Sequence, residues 1–264
     1  MGRIENKFSS LRAKKEKALI VYLTAGDPSL DVTAQLVPAL EKAGADLLEI
    51  GVPFSDPTAD GPVIQAASLR ALRAGTTLEG VLKMIAGVRR ISEIPIVLFG
   101  YFNPIHAFGV KTFARAARRA GVDGVLVVDL PLEEADELRR HTDAAGIDFI
   151  SLIAPTTDKT RRKKIVSEAS GFLYFISITG VTGTAAPKIG GIQNNMEAIR
   201  KTTDLPIAVG FGISKPRQAK AIGAFADGVV IGSAVVRLID ENRSRPNLVK
   251  TVSDYIREMK KALK

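Results

Sequence analysis

The chain contains no cysteine, which excludes a disulfide framework and a thiolate-ligated metal centre. Histidine is almost as scarce. His106 and His141 are the only two, far apart in sequence, and this argues against a histidine-based metal site. No apolar run reaches the roughly 18 residues needed to span a bilayer. The first residues, Met1-Gly2-Arg3-Ile4-Glu5-Asn6-Lys7, lack the apolar core of a secretory signal. A cytoplasmic protein without a membrane partner is therefore expected. No Gly-x-Gly-x-x-Gly follows an early strand, against a dinucleotide-binding fold. The net charge is +9, which would suit an anionic ligand. Its densest cationic run, Arg161-Arg162-Lys163-Lys164, has no interleaved aromatics. That run reads as a solvated helix start, and no nucleic-acid partner is expected.

What the chain does have is regular alternation. Short β-branched runs fall at Leu19–Leu23, Leu47–Ile50, Ile96–Phe99, Gly124–Val128, Phe149–Ile153, Leu173–Ser177, Ile207–Val209 and Gly228–Ile231. Amphipathic stretches separate them, among them Leu30–Ala43, Val63–Arg73, Leu78–Arg90, Phe113–Ala120, Glu133–Ala145, Lys159–Ala169, Asn194–Lys201 and Pro216–Ala221. Strands apolar on both faces indicate a parallel sheet covered by helices. The joints Ala43-Gly44-Ala45-Asp46, Ala120-Gly121-Val122-Asp123 and Ala145-Gly146-Ile147-Asp148 each supply a helix-ending glycine and a polar turn residue. Eight such units in 264 residues predict an α/β fold, a (β/α)8 TIM barrel of one domain over residues 1–264, with extra N-terminal and C-terminal helices. An open doubly wound sheet is the alternative.

On a barrel, chemistry collects in the loops after the strands. The stretch from Glu49 to Asp60, EIGVPFSDPTAD, places one carboxylate at a strand end and a second on a proline-stiffened loop. Two carboxylates in different surroundings suit proton transfer. Glu49 must be solvated, paired or functional, because an unpaired buried charge is costly. Asp60 reads equally well as a helix N-cap. Tyr174, inside a strand, reads as core or as part of the site. His106 and His141 read as non-catalytic.

Glycine-bearing turns come late: Thr182-Gly183-Thr184, Gly210-Phe211-Gly212-Ile213-Ser214 and Gly232-Ser233-Ala234. Each alone reads as a tight turn. Together, with Gly232-Ser233 opening a helix whose N–H groups favour anions, they indicate a phosphate-binding rim. The glycine-rich segment Ile178 to Gly191 has the composition of a lid. Lys188 within it reads as solvent-exposed.

These motifs carry a resemblance. The run from Leu48 to Pro62, with Leu23-Thr24-Ala25-Gly26-Asp27-Pro28, Gly180-Val181-Thr182-Gly183 and the two late glycine turns, resembles the tryptophan synthase α subunit family along essentially the whole chain, in order. The resemblance implies a carbon–carbon lyase of tryptophan biosynthesis that cleaves indole-3-glycerol phosphate to indole and glyceraldehyde 3-phosphate. It implies no cofactor in this chain and an αββα heterotetramer with a β subunit that carries pyridoxal phosphate. By position it implies Glu49, Asp60 and Tyr174 as catalytic residues, and Gly183, Gly212, Gly232 and Ser233 as the phosphate site. It further implies an indole pocket of Tyr22, Ile64, Phe99, Leu126, Ile153 and Phe211, a lid carrying Thr182, and a partner surface at Asp56, Pro57, Asn103 and Pro131. Departures from the family pattern fall at Tyr22, where a phenylalanine is usual, at Gly100 and at Ile178. A stand-alone lyase releasing free indole, another phosphate-binding barrel and a non-catalytic binding subunit are the rival readings.

Overall fold

The computed structural model describes residues 2–176, 189–210 and 212–264. The strands are β1 (Ala18–Thr24), β2 (Leu47–Gly51), β3 (Ile96–Gly100), β4 (Gly124–Val127), β5 (Asp148–Phe149), β6 (Ser151–Ile153), β7 (Leu173–Ile176), β8 (Ile207–Gly210) and β9 (Gly228–Ile231). All pairings are parallel, in the order β5-β4-β3-β2-β1-β9-β8-β7-β6. The two ends of that order are consecutive in the chain. β5 pairs with β4 and β6 with β7, so one strand hands over from one neighbour to the other at Ile150 and closes the barrel. The eight expected strand positions are all occupied, and the doubly wound alternative is excluded.

The helices around the barrel are α1 (Arg3–Ala13), α2 (Leu30–Ala43), α3 (Pro62–Arg73), α4 (Leu78–Val88), α5 (Phe102–Phe108), α6 (Val110–Ala120), α7 (Asp136–Ala144), α8 (Lys159–Glu168), α9 (Ile189–Arg200), α10 (Pro216–Gly223), α11 (Ser233–Asn242) and α12 (Leu248–Lys261). Two of them depart from the sequence reading. The short α5 was not expected, because Pro104 inside a seven-residue segment masks its period. α9 begins five residues before the expected Asn194. Among the described residues no helix is long and apolar enough to cross a membrane.

Strand parity divides the core in two. Leu19, Val21, Leu23, Leu48, Ile50, Leu173 and Phe175 pack outward against the helices. Ala18, Ile20, Leu47, Val97, Leu126, Phe172, Tyr174, Ala208 and Val230 pack inward. α1 lies across the N-terminal end of the barrel and contributes Ile4, Phe8 and Leu11 to that inner cluster, with the Phe8 and Phe172 rings 5.6 Å apart. One end is thus plugged. Toward the other end the inward residues Phe99, Val128, Leu152 and Ile176 are only partly buried, as expected of residues that line an opening.

Candidate active site

Glu49 follows from that parity. Leu47 faces in and Leu48 and Ile50 face out, so Glu49 must face in. It is 1% exposed, and its Oε1 is buried without a hydrogen-bond partner among the described residues. Burial pushes its carboxyl up to about 8, because a buried carboxyl without a counter-charge favours its neutral form. Tyr22 stands beside it in register on β1. Tyr174, also inward, lies close enough for Glu49 to hinder its ionisation, after burial as the main cause. Both hydroxyls lie over glycine. A Cβ at Gly51 would come within 2.1 Å of the Tyr22 Oη, and one at Gly210 within 2.1 Å of the Tyr174 Oη. Backbone without side chains is what makes room for the two phenols.

Asp60 sits above, at the end of the loop from β2 to α3, and is 5% exposed. The N-cap of α3 is the next residue, Gly61, with Pro62 opening the helix. The cap role open to Asp60 in the sequence thus falls to its neighbour. Its Oδ2 instead accepts a hydrogen bond from the Tyr101 hydroxyl at 3.0 Å. Burial pushes Asp60 up to about 6, and the Tyr101 bond partly offsets this. Tyr22 joins the two acids. After burial, Asp60 and then Glu49 raise its phenol further, with a hydrogen bond to Thr24 acting the other way.

The expected pocket residues are largely brought together. Tyr22 and Ile64 share a cluster with Ala67 and Val236, against which Phe99 packs. The Tyr22 and Phe99 rings meet edge-on at 5.2 Å. Leu126, fully buried in the inner cluster, forms the floor. Ile153 does not join them, and this is a correction. It belongs to the outer layer, and its neighbour Leu152 faces the interior. Counting parity back from Tyr174 across the pairing of Leu152 with Tyr174 would have found it. Phe211, Thr182, Gly183, Ile178 and Lys188 lie outside the described residues.

The phosphate rim is partly visible. β8 and β9 are neighbours, so the turns that follow them adjoin. Gly212 has a left-handed backbone, φ +75°, which glycine adopts without strain. Gln218 secures this turn: its Oε1 accepts from the Ser214 and Lys215 backbone N–H groups at 3.0 and 2.9 Å. Gly232 caps α11, and Ser233 is that helix's first residue. A Cβ on Gly232 would meet the Tyr22 Cβ at 3.5 Å. The helix N-terminus therefore adjoins the pocket wall, a suitable place for an anion.

Asp56, Asn103 and Pro131 are exposed and Pro57 is half-buried. They lie on connected segments. The Phe54 ring packs on Tyr101 at 5.3 Å, and Asp129 accepts from the Phe102 N–H that opens α5. From the sequence Tyr101 falls in an active-face loop directly after β3, with no role assigned to it. The pair of buried Asp27 with half-buried Arg70, two hydrogen bonds of 2.8 and 2.7 Å, ties the β1 loop to α3 and was not expected from the sequence. His106 is exposed, 4.0 Å from Glu137. Arg161 in the basic run pairs with Glu133. No group of three or more potential metal ligands occurs among the described residues.

A parallel barrel with two buried acids at its open end and a helix N-terminus beside them defines the class, a TIM-barrel protein with a candidate site at that end. The comparisons narrow this. The family model "Tryptophan synthase alpha chain" matches residues 8–264. The tryptophan synthase alpha chain of Desulfatibacillum aliphaticivorans is 50% identical over 262 residues, 99% of both chains. That of Geobacter sulfurreducens is 48% identical over 263 residues, 100% of this chain and 99% of its own. The crystal structure of tryptophan synthase subunit alpha from Legionella pneumophila superposes with a TM-score of 0.92 at 38% identity, covering 100% of this chain and 98% of that one. The chain belongs to the tryptophan synthase alpha chain family.

Proposed function

We propose that this chain cleaves indole-3-glycerol phosphate to indole and glyceraldehyde 3-phosphate, as the α subunit of tryptophan synthase. The observation that carries the reading is Glu49, a buried carboxyl with no cationic partner among the described residues, facing into the mouth of the barrel. The reaction is a retro-aldol step. Protonation of the indole C3 gives an indolenine that can accept electrons. The substrate hydroxyl on the adjacent carbon then loses its proton as the carbon–carbon bond breaks and the aldehyde forms. Glu49 supplies the first proton and takes up the second, so the enzyme ends as it began. A carboxyl raised to about 8 still holds that proton, and is neutral, at pH 7. Asp60, at about 6, is mostly ionised at the same pH and accepts a hydrogen bond from the ring N–H, where positive charge develops. Surroundings that separate two carboxyls in this way assign the acid and the counter-charge.

Gly212, Gly232 and Ser233, with Gly183, anchor the phosphate, so that binding at the remote end orients the reacting bond. Tyr22, Ile64, Phe99, Leu126 and Phe211 enclose the indole, with Leu152 replacing Ile153. Tyr174 stands beside Glu49 and keeps its carboxyl from water. Thr182 approaches Asp60 from the lid. The face formed by Asp56, Pro57, Asn103 and Pro131 receives a β subunit that carries pyridoxal phosphate, in an αββα assembly, and the reaction takes place in the cytoplasm. The Pro53–Asp60 loop serves both surfaces, so docking there acts on Asp60.

An indole-release assay with and without β subunit tests the reading. Slow release by the chain alone and strong acceleration at saturating partner are expected. Full activity without partner would make it a stand-alone lyase. Substrate binding without turnover in both conditions would overturn the reading.

A further inference from the structure

A side chain from another part of the barrel holds the loop that carries Asp60. Tyr101 follows β3 directly and is 4% exposed. Its hydroxyl makes two hydrogen bonds to adjacent residues of the loop. It donates to the Asp60 Oδ2 at 3.0 Å and accepts from the Ala59 backbone N–H at 3.0 Å. Its ring lies against Phe54 at the start of the same loop. Tyr101 is therefore bound to both ends of the segment from Phe54 to Asp60. It is also the N-cap residue of α5, two positions before the exposed Asn103. A phenol oxygen that accepts from a backbone amide is polarised toward donation, and the acceptor here is a carboxylate oxygen.

We propose that Tyr101 is the positioning residue for Asp60, its hydroxyl fixing the carboxylate and the adjoining backbone in the orientation that meets the ring N–H of the substrate. The proposal rests on the assignment of Asp60 to the indole nitrogen. The groups that face Asp60 are few. Tyr101 comes from the end of β3, with Asp129 beyond it. Tyr22 comes from β1, and Glu49 lies on its far side. Among the described residues no cation acts on Asp60. Tyr101 is thus the one neighbour that favours the ionised form, and it does so through a hydrogen bond that a single atom deletion removes.

The test uses Tyr101→Phe, which keeps the ring on Phe54 and deletes only the hydroxyl. The readout is the pH profile of kcat/KM for indole release at saturating β subunit. A hydrogen bond to a charged group corresponds to about one pH unit of acid-limb displacement and up to about tenfold in rate below it. The acid limb should therefore move to higher pH while the alkaline limb stays in place. A side chain that only fills space would not produce this split. Replacing Tyr101 with 3-fluorotyrosine, a stronger donor of the same shape, should move the limb the other way, and it decides the matter if Tyr101→Phe does not fold. An unmoved acid limb in either variant overturns the proposal. Asp60→Asn separates the two levels. If it is inactive while the Tyr101 variants are unshifted, Tyr101 alone fails. Wild-type turnover in Asp60→Asn means that the role given to Asp60 fails instead.

Discussion

At the plugged end of the barrel, Asp46 and Asp123 are 7% and 8% exposed, and at the open end Asp60 and Glu49 are 5% and 1% exposed. All four are buried, but their surroundings differ. Asp46 accepts from the Lys260 Nζ at 2.8 Å and from the Leu19 backbone N–H at 2.8 Å. Asp123 accepts from Arg89 at 2.7 Å, from Arg3 at 3.1 Å and from the Ile96 N–H at 2.8 Å. Asp227 repeats the arrangement with Arg200 and the Ile207 N–H, both at 2.9 Å. In each case the aspartate between a helix and its following strand accepts an N–H from the start of the neighbouring strand and meets a cation. Among the described residues Glu49 and Asp60 meet no cation, and burial raises both carboxyls. A buried charge that serves the fold is paired, because the alternative costs stability. A buried carboxyl left unpaired is available for proton transfer.

The largest effects should follow that division. Glu49→Gln is expected to reduce indole release by about a thousandfold or more, with substrate binding changed only a few-fold and melting temperature at pH 7 no lower than that of the parent. Substrate binding can be followed through the indole chromophore, since the chain has no tryptophan. Asp46→Asn should do the reverse. It leaves Lys260, itself 6% exposed, with Glu16 at 3.4 Å as its remaining carboxylate. A loss of about 3 kcal/mol is expected, or roughly 5–10 °C in melting temperature, with the rate per folded molecule near that of the parent. Calorimetry and steady-state kinetics on both variants check the pair. A Glu49→Gln variant that melts well below the parent, or an active one, would break the comparison.

A second effect is pH linkage, and its sign is opposite to that of a paired carboxylate. The Glu49 carboxyl is raised from 4.5 to about 8 by burial. The folded state then holds a proton that the unfolded state has released. The contribution of Glu49 is fully favourable below about 4.5 and is lost progressively as pH rises toward 8. Urea unfolding of the parent should therefore weaken across that window relative to Glu49→Gln, by an amount on the order of a few kcal/mol at its upper end. A constant difference between the two proteins across this window would show that the carboxyl is not held neutral.

The barrel itself was legible because closed parallel sheets impose a strong pattern: two-sided apolar strands, helix-ending glycines and regular spacing. The aspartates of the plugged end were visible as a repeat, but their cations were not, since Lys260 and Asp46 are distant in sequence and meet only when α12 packs on α2. Glu49 was legible as an acid at a strand end, while the burial of its Oε1 without a hydrogen-bond partner among the described residues was not. Asp60 could not be separated from a helix cap by spacing alone; the cap falls one residue later, at Gly61. The place of Tyr101 directly after β3 was legible, but its bond to Asp60 was not, because the two are 41 residues apart and meet only in the folded barrel.

The smallest expected effect sharpens the same comparison on one strand. Leu152 and Ile153 are adjacent, yet parity sends Leu152 toward the mouth and Ile153, 1% exposed, into the layer beneath the helices. Leu152→Val shortens a pocket wall at a half-buried position. It should change KM for the indole substrate by a few-fold, in line with one methylene in an apolar pocket, and leave stability almost unchanged. Ile153→Val removes one methylene from a packed layer. It should cost about 1 kcal/mol in denaturant unfolding and leave KM alone. The two substitutions delete the same chemical group, so only the side of the sheet distinguishes them. If Ile153→Val altered KM and Leu152→Val did not, the inward assignment would have to shift by one residue, and with it the register that pairs Leu152 with Tyr174.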